Sequence, residues 1–254
     1  MYLVYAHGRS GSTQLVRALR RAVGAGELVR DEPFKQRNAE SWGYNLSVRD
    51  NIEDYLRWLG APYLKHLWSD MRPKQNRALV SSPLLQGVLF LYRRNIFEYA
   101  VSMVAASLTK EWHGSKAEFG APMPLSSVEH AISVITETIP SNSRLVKESI
   151  TCPLLCVSYE DLYSSSAVVR DQTAVSVLDA LGVERNVQSL KNLLSFFNPD
   201  KKYKGREYYL SKFTNFREVE ERFSDSSTYF SDHPDQAPEY IFGTSLQSQS
   251  VFPT

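Results

Sequence analysis

Between Tyr5 and Arg21 the chain reads YAHGRSGSTQLVRALRR, and a lone arginine stands there among small and flexible residues. Gly8, Ser10, Gly11, Ser12 and Thr13 surround Arg9, after a short apolar run and before an amphipathic one. Glycines let a backbone curl so that several N–H groups point inward, and a helix start adds unpaired donors and partial positive charge. Ser12 and Thr13 can cap the helix or bond anion oxygens. Arg9 contributes a full charge and a planar fork of donors. This chemistry holds a phosphate-like anion.

Two familiar phosphate loops do not fit. A nucleotide-kinase P-loop requires lysine and Ser/Thr after its last glycine, and here Ser12 follows Gly11 with no lysine in the loop. The G-x-G-x-x-G of dinucleotide-binding folds is also missing. GRSGST after a first strand resembles the 5′-phosphosulfate loop of sulfotransferases that use 3′-phosphoadenosine 5′-phosphosulfate (PAPS), in the arginine-bearing form of the bacterial and carbohydrate branches.

A second stretch, RNIFEYAVS, extends the resemblance. The family's 3′-phosphate motif is an arginine at a strand end with a serine eight residues later, and Arg94 and Ser102 stand at that spacing. VSYEDL resembles a strand-end segment of the family that helps order the site. The late basic run DKKYKGREYY resembles the segment that closes over the 3′-phosphate, with Lys202, Lys204 and Arg206 as candidates. The resemblance implies PAPS as donor and adenosine 3′,5′-bisphosphate as product. Its cofactor set is then Gly8, Arg9, Ser10, Gly11, Ser12, Thr13, Arg94, Ser102, Lys202, Lys204 and Arg206.

Sulfuryl transfer needs an acceptor oxygen or nitrogen attacking in line, a base for its proton, and charge stabilisation on the leaving phosphate. Arg9 suits the leaving side. Glu32, in DEPF, resembles the base of the bacterial and carbohydrate branches. His66, in LKHL beside Lys65, resembles the catalytic histidine segment of the cytosolic small-molecule branch, although that branch separates lysine and histidine by one residue. The arginine form of the loop favours Glu32. Phe34, Trp42, Tyr44, Trp58, Trp68 and Trp112 could line an acceptor pocket or fill the core. No metal motif is present, and Cys152 and Cys156 read as buried thiols.

The elements that must position these residues form an α/β pattern. YLVYA and VLFLY are apolar runs of the kind buried on both faces of a parallel sheet. PYLKHLW and PLLCVS are further strands, and DEPFKQ reads as a turn or loop. A helix follows the first loop and stops at Gly24 and Gly26. IEDYLRWLG is helical. Another helix begins at Asn95, with Asn95 and Glu98 as a capping box. SSVEHAISVITETI repeats that box at Ser126 and Glu129, and Gly182 closes a helix through SAVVRDQTAVSVLDALGV.

The expected architecture is a three-layer P-loop-like α/β fold, with a mostly parallel central sheet flanked by helices. Residues 1–223 form one domain and 224–254 an irregular tail rich in Ser, Asp and Pro. The chain has 254 residues, 43% hydrophobic and 22% charged, with a formal net charge of +1. That balance gives no sign of nucleic-acid or membrane binding. The expectation is a cytoplasmic enzyme acting on a small-molecule or carbohydrate acceptor. The alternatives are a P-loop-like small-molecule kinase and a non-catalytic nucleotide-binding protein of the same fold.

Overall fold

The computed structural model describes residues 1–24, 28–35, 38, 52–109, 120–197, 206–223 and 240–241. Its centre is a six-stranded sheet: β1 (Tyr2–Ala6), β2 (Val29–Asp31), β3 (Tyr63–Leu67), β4 (Gly87–Tyr92), β5 (Leu154–Ser158) and β6 (Tyr240–Ile241). The order is β2-β3-β1-β4-β5-β6. The first five strands are parallel, and β6 pairs antiparallel with β5 at the edge. The chain moves to one side of β1 and then to the other, so a crevice opens at the carboxyl end of β1. The glycine-rich loop leaves the sheet there. This is the three-layer, P-loop-like architecture expected from the sequence.

Alternation along β1 divides the core. Val4 and Ala6 pack with Leu15, Val16 and Leu19 of α1 (Ser12–Ala22) and with Ala174, Val177 and Leu178 of a later helix. Leu3 and Tyr5 face the opposite layer, built from α2 (Ile52–Leu59), α3 (Pro73–Val80) and the end of α5 (Leu125–Ser149). A third cluster joins α4 (Ile96–Thr109) to α5 and to the late helices.

Among the described residues, further α-helices are the single turn α6 (Tyr159–Leu162), then α7 (Ala167–Ala180), α8 (Val187–Leu194), α9 (Arg206–Lys212) and α10 (Phe216–Phe223). Among the described residues no helix is long and apolar enough to cross a membrane.

Several local readings hold for the reason given. Gly24 follows α1 at φ 71°, and Gly182 follows α7 at φ 60°. Asn95 Oδ1 accepts from the Glu98 N–H at 2.8 Å, but the Glu98 carboxylate turns to Arg93, so the box is only half made. Others differ. α5 starts at Leu125 with Pro124 as its N-cap, so Ser126 is not the cap. The helix also continues through Pro140 to Ser149, held by buried Ile135 and Ile139 before the proline and Val146 after it. The Asp31 that opens DEPF is the last residue of a short strand, β2, too brief to show periodicity. Cys152 is buried, whereas Cys156 is only half-buried. Gly26, Trp42, Tyr44, Trp112 and most of the expected tail lie outside the described residues.

Candidate active site

The loop from Gly8 to Thr13 joins β1 to α1 at the middle of the sheet. Gly11 is the N-cap of α1, at φ 83°, and no side chain caps the helix. Ser12 and Thr13 therefore stand in the first turn instead of capping it. Their N–H groups belong to the four that a helix start leaves without intrahelical partners. Ser10 Oγ donates to the His7 carbonyl at 2.6 Å, which sets the curl of the loop. A Cβ added at Gly8 would meet nothing within 4 Å, so the loop is open on that side. At Gly11 the Tyr159 ring comes within 3.0 Å of such a Cβ. An uncapped helix N-terminus, an open glycine and an adjacent arginine fit a phosphate or sulfate group.

Arg9 Nε donates to Ser102 Oγ at 3.1 Å, across 93 residues of sequence. The first loop and the second motif thus meet. Ser102 is buried and is also hydrogen-bonded to the Tyr209 phenol of α9. Burial lowers the Arg9 pKa from its ordinary value; the phenols of Tyr209, Tyr208 and Tyr159 oppose that shift, and Arg93 adds to it. Arg93 is itself buried, with its guanidinium 4.3 Å above the Tyr159 ring and Nη2 donating to Glu98 at 2.8 Å. An anion set between Arg9 and Arg93 would relieve their mutual repulsion.

Arg94 lies at the end of β4 as expected, but its side chain is held by Asp161 at 2.7 Å. Its backbone N–H, and that of Asn95, donate to Glu160 at 2.9 Å and 3.2 Å. VSYEDL therefore orders the start of α4 from the neighbouring strand. Ser102 stands two turns further along α4, bonded to Arg9 and not to Arg94. Arg206 opens α9 with both arms of its fork on Glu220, at 2.6 Å and 2.7 Å. Lys202 and Lys204 lie outside the described residues.

The two base candidates have opposite surroundings. Glu32 directly follows β2 and accepts from Lys65 Nζ at 2.7 Å and from Lys35. Lys65 is 1% exposed and also lies 3.0 Å from Asp31. Burial pushes the Glu32 carboxyl upward, but the two lysine hydrogen bonds outweigh it and hold the pKa at about 2. Glu32 is thus a fixed carboxylate at the strand end. Among the described residues, Arg9 (φ 62°) and Glu32 (φ 52°) are the only non-glycine residues in the left-handed region. Such conformations cost of order 1–3 kcal/mol each and gather at functional sites.

His66, by contrast, is wholly buried. Its Nε2 lies 2.8 Å from Asn76 Oδ1, while Asn76 Nδ2 donates to the carbonyls of Trp68 and Met71. The amide orientation makes Nε2 the protonated nitrogen of His66, and the bond pins the turn after β3. Burial lowers its pKa to about 4. Phe34 closes the ring off edge-on at 5.0 Å. Of the other aromatic candidates, Trp58 is exposed and stacked on Tyr55, and Trp68 packs against His7.

The sequence reading missed His7 and Arg93, and named Lys65 only as the neighbour of His66. Each had a signal: a histidine directly before the glycine turn, a lysine inside an apolar strand, and the first of two arginines at a strand end. It also missed Tyr209, which lies at the end of the run DKKYKGREYY but reaches Ser102 only through the packing of α9.

No family model matches this sequence. No curated protein matches it either. Among solved structures, the chain is similar to the sulfotransferase domain from the curacin biosynthetic pathway, at 17% identity and a TM-score of 0.45 over 93% of each chain. It is also similar to the sulfotransferase domain from the Synechococcus PCC 7002 olefin synthase, at 17% identity and a TM-score of 0.42, covering 93% of this chain and 90% of that one.

Proposed function

We propose that the protein is a sulfotransferase that moves a sulfuryl group from PAPS to a hydroxyl or amine of a small-molecule or carbohydrate acceptor. The observation that carries this reading is the bond from Arg9 to Ser102, which joins the glycine-rich loop after β1 to the second motif on the helix after β4. A donor with separate 5′ and 3′ anions matches that pairing better than a triphosphate does.

The 5′-phosphosulfate lies on the first turn of α1, between the loop N–H groups and Arg9. Arg94, set by Asp161, and Ser102 take the 3′-phosphate. The acceptor oxygen or nitrogen bonds to sulfur as the sulfur–oxygen bond to the 5′-phosphate breaks. The electron pair stays on the phosphate oxygen, where Arg9 stabilises it. The acceptor's proton goes to the Glu32 carboxylate, which Lys65 and Lys35 hold in place. Its low pKa keeps it ionised throughout the physiological range. A base this weak serves a reaction in which the proton leaves late, as in a loose transfer step.

Labelled PAPS incubated with a panel of phenols, alcohols, amines and sugars tests the reading. Label appearing in a sulfated product supports it. Phosphoryl transfer from ATP with magnesium, and none from PAPS, would replace it with the kinase reading. Binding of the bisphosphate without turnover on any acceptor would favour the non-catalytic one.

A further inference from the structure

At φ 52° the Glu32 backbone is one that a glutamate keeps only under constraint. A conformation of this kind persists where its surroundings over-determine it. Hydrogen bonds to the main chain supply the constraint. The Glu32 N–H donates to the Lys65 carbonyl at 2.8 Å, just past the last β2–β3 pair, Asp31 with Lys65. The Glu32 carbonyl accepts from the Lys35 N–H at 3.1 Å and from Asn38 Nδ2 at 3.0 Å. Asn38 Nδ2 also donates to the Asp31 carbonyl at 3.2 Å.

Asn38 thus reaches back six residues and ties together the two carbonyls that flank the Glu32 α-carbon. An amide nitrogen carries two hydrogens, and each has one of these carbonyls to meet. Both partners only accept, so the nitrogen of the amide must face them. Asn38 is itself set by its N–H, which donates to the Lys35 carbonyl at 2.9 Å. An extended strand turns successive carbonyls to opposite sides. One nitrogen can hold both only while Glu32 stays out of the strand conformation.

The side chain depends on that backbone. The Glu32 carboxylate, on a side chain 16% exposed, lies between Lys65 and Lys35. Lys65 cannot follow it, being buried and also paired with Asp31. The chain beyond is anchored separately, by buried Phe34 and by the Tyr55 hydroxyl, which donates to the Pro33 carbonyl at 2.6 Å. If Glu32 relaxed to an extended backbone, its carboxylate would swing off Lys65.

We propose that Asn38 is a positioning residue, which clamps the carbonyls of Asp31 and Glu32 and so holds the Glu32 carboxylate on Lys65, where it receives the acceptor's proton. This rests on Glu32 being the base of the proposed sulfuryl transfer. Asn38 itself touches neither donor nor acceptor in this role.

The test uses the full chain with Asn38→Asp, which keeps the size and loses both donors, and Asn38→Ala. Each is made in wild type and in Glu32→Gln. The readouts are melting temperature, affinity for adenosine 3′,5′-bisphosphate, transfer of labelled sulfuryl from saturating PAPS to the acceptor panel, and the ¹³C titration of the Glu32 carboxyl. The charged and titratable groups facing that carboxyl are Lys65 and His66 of β3, Lys35 of the turn, and Asp31 through Lys65. Both Asn38 variants should bind the bisphosphate as wild type does. Their transfer rate should fall by about 10–10², as for a reacting group set slightly out of place. In Glu32→Gln the same changes should alter the rate by less than about twofold, since a clamp has nothing to add once its carboxylate is gone. The Glu32 carboxyl should titrate above its wild-type pKa of about 2.

An equal fall in the Glu32→Gln background, an unmoved carboxyl titration, or variants that no longer fold would each make Asn38 a structural residue and overturn the assignment, with the sulfotransferase reading left standing. A wild type that transfers no sulfuryl group from PAPS would overturn both.

Discussion

Arg9 and Glu32 share a left-handed backbone, which makes their side chains separable from their strain. Arg9→Gly relieves the φ 62° conformation while removing the guanidinium. It should therefore keep its melting temperature and lose about 10²–10³ in turnover, whereas Arg9→Ala should lose both. Steady-state rates and melting curves on the two variants check this, and a Gly variant with wild-type turnover would remove Arg9 from the mechanism. Glu32→Gln should lower turnover by ~10²–10⁴ with little effect on nucleotide affinity, and His66→Ala is the comparison that exposes the histidine alternative. Glu32 also predicts a pH dependence. Its folded pKa is depressed to about 2, so its stabilisation is present above the unfolded value near ~4.3 and is lost as the pH falls through the folded one. The gap in melting temperature between wild type and Glu32→Gln should be full at neutral pH and close as the pH falls toward 2. A gap that stays constant across that range would mean that the lysine pairing does not hold the carboxyl down.

At the scale of elements, the site depends on how the first turn of α1 meets the single turn α6. Gly11 serves that meeting twice, with φ 83° and with the Tyr159 ring 3.0 Å from any Cβ placed there. Gly11→Ala should cost more than ~1 kcal/mol and tilt the helix start away from its anion. Bisphosphate binding should weaken in proportion; unaltered binding would show that the anion is held elsewhere. Gly8→Ala, which meets open space, is the control. The contrast between these elements explains what could be read in the sequence. β1, β4 and the loop were legible because apolar runs and glycines state local backbone needs directly. The start of α5 was misread because a serine three residues before a glutamate looks like a cap wherever it stands, and Pro124 was the stronger stop. β2 was invisible at three residues. The placing of Arg94 on Asp161, and of His66 on Asn76, follows from strand order and from a turn, which spacing alone does not encode.

For the whole molecule, the parallel strands put Arg9, Glu32 and Arg94 just beyond their carboxyl ends, with Ser102 on the helix that follows β4. The anion motifs could be named from the sequence because each sits at a strand-to-helix junction, where this architecture binds ligands. Their meeting through Arg9 and Ser102 could not be, since it depends on β1 and β4 lying side by side. If those two motifs form one nucleotide site, a ligand carrying both anions should stabilise the entire fold. Adenosine 3′,5′-bisphosphate at one hundred times its Kd adds about 2.7 kcal/mol. For a domain of this size that raises the melting temperature by roughly 5–10 °C. The account predicts that rise for the bisphosphate, a much smaller one for ATP with magnesium, and loss of most of it in Arg94→Ala. A melting curve indifferent to the bisphosphate, or raised further by ATP with magnesium, would contradict it.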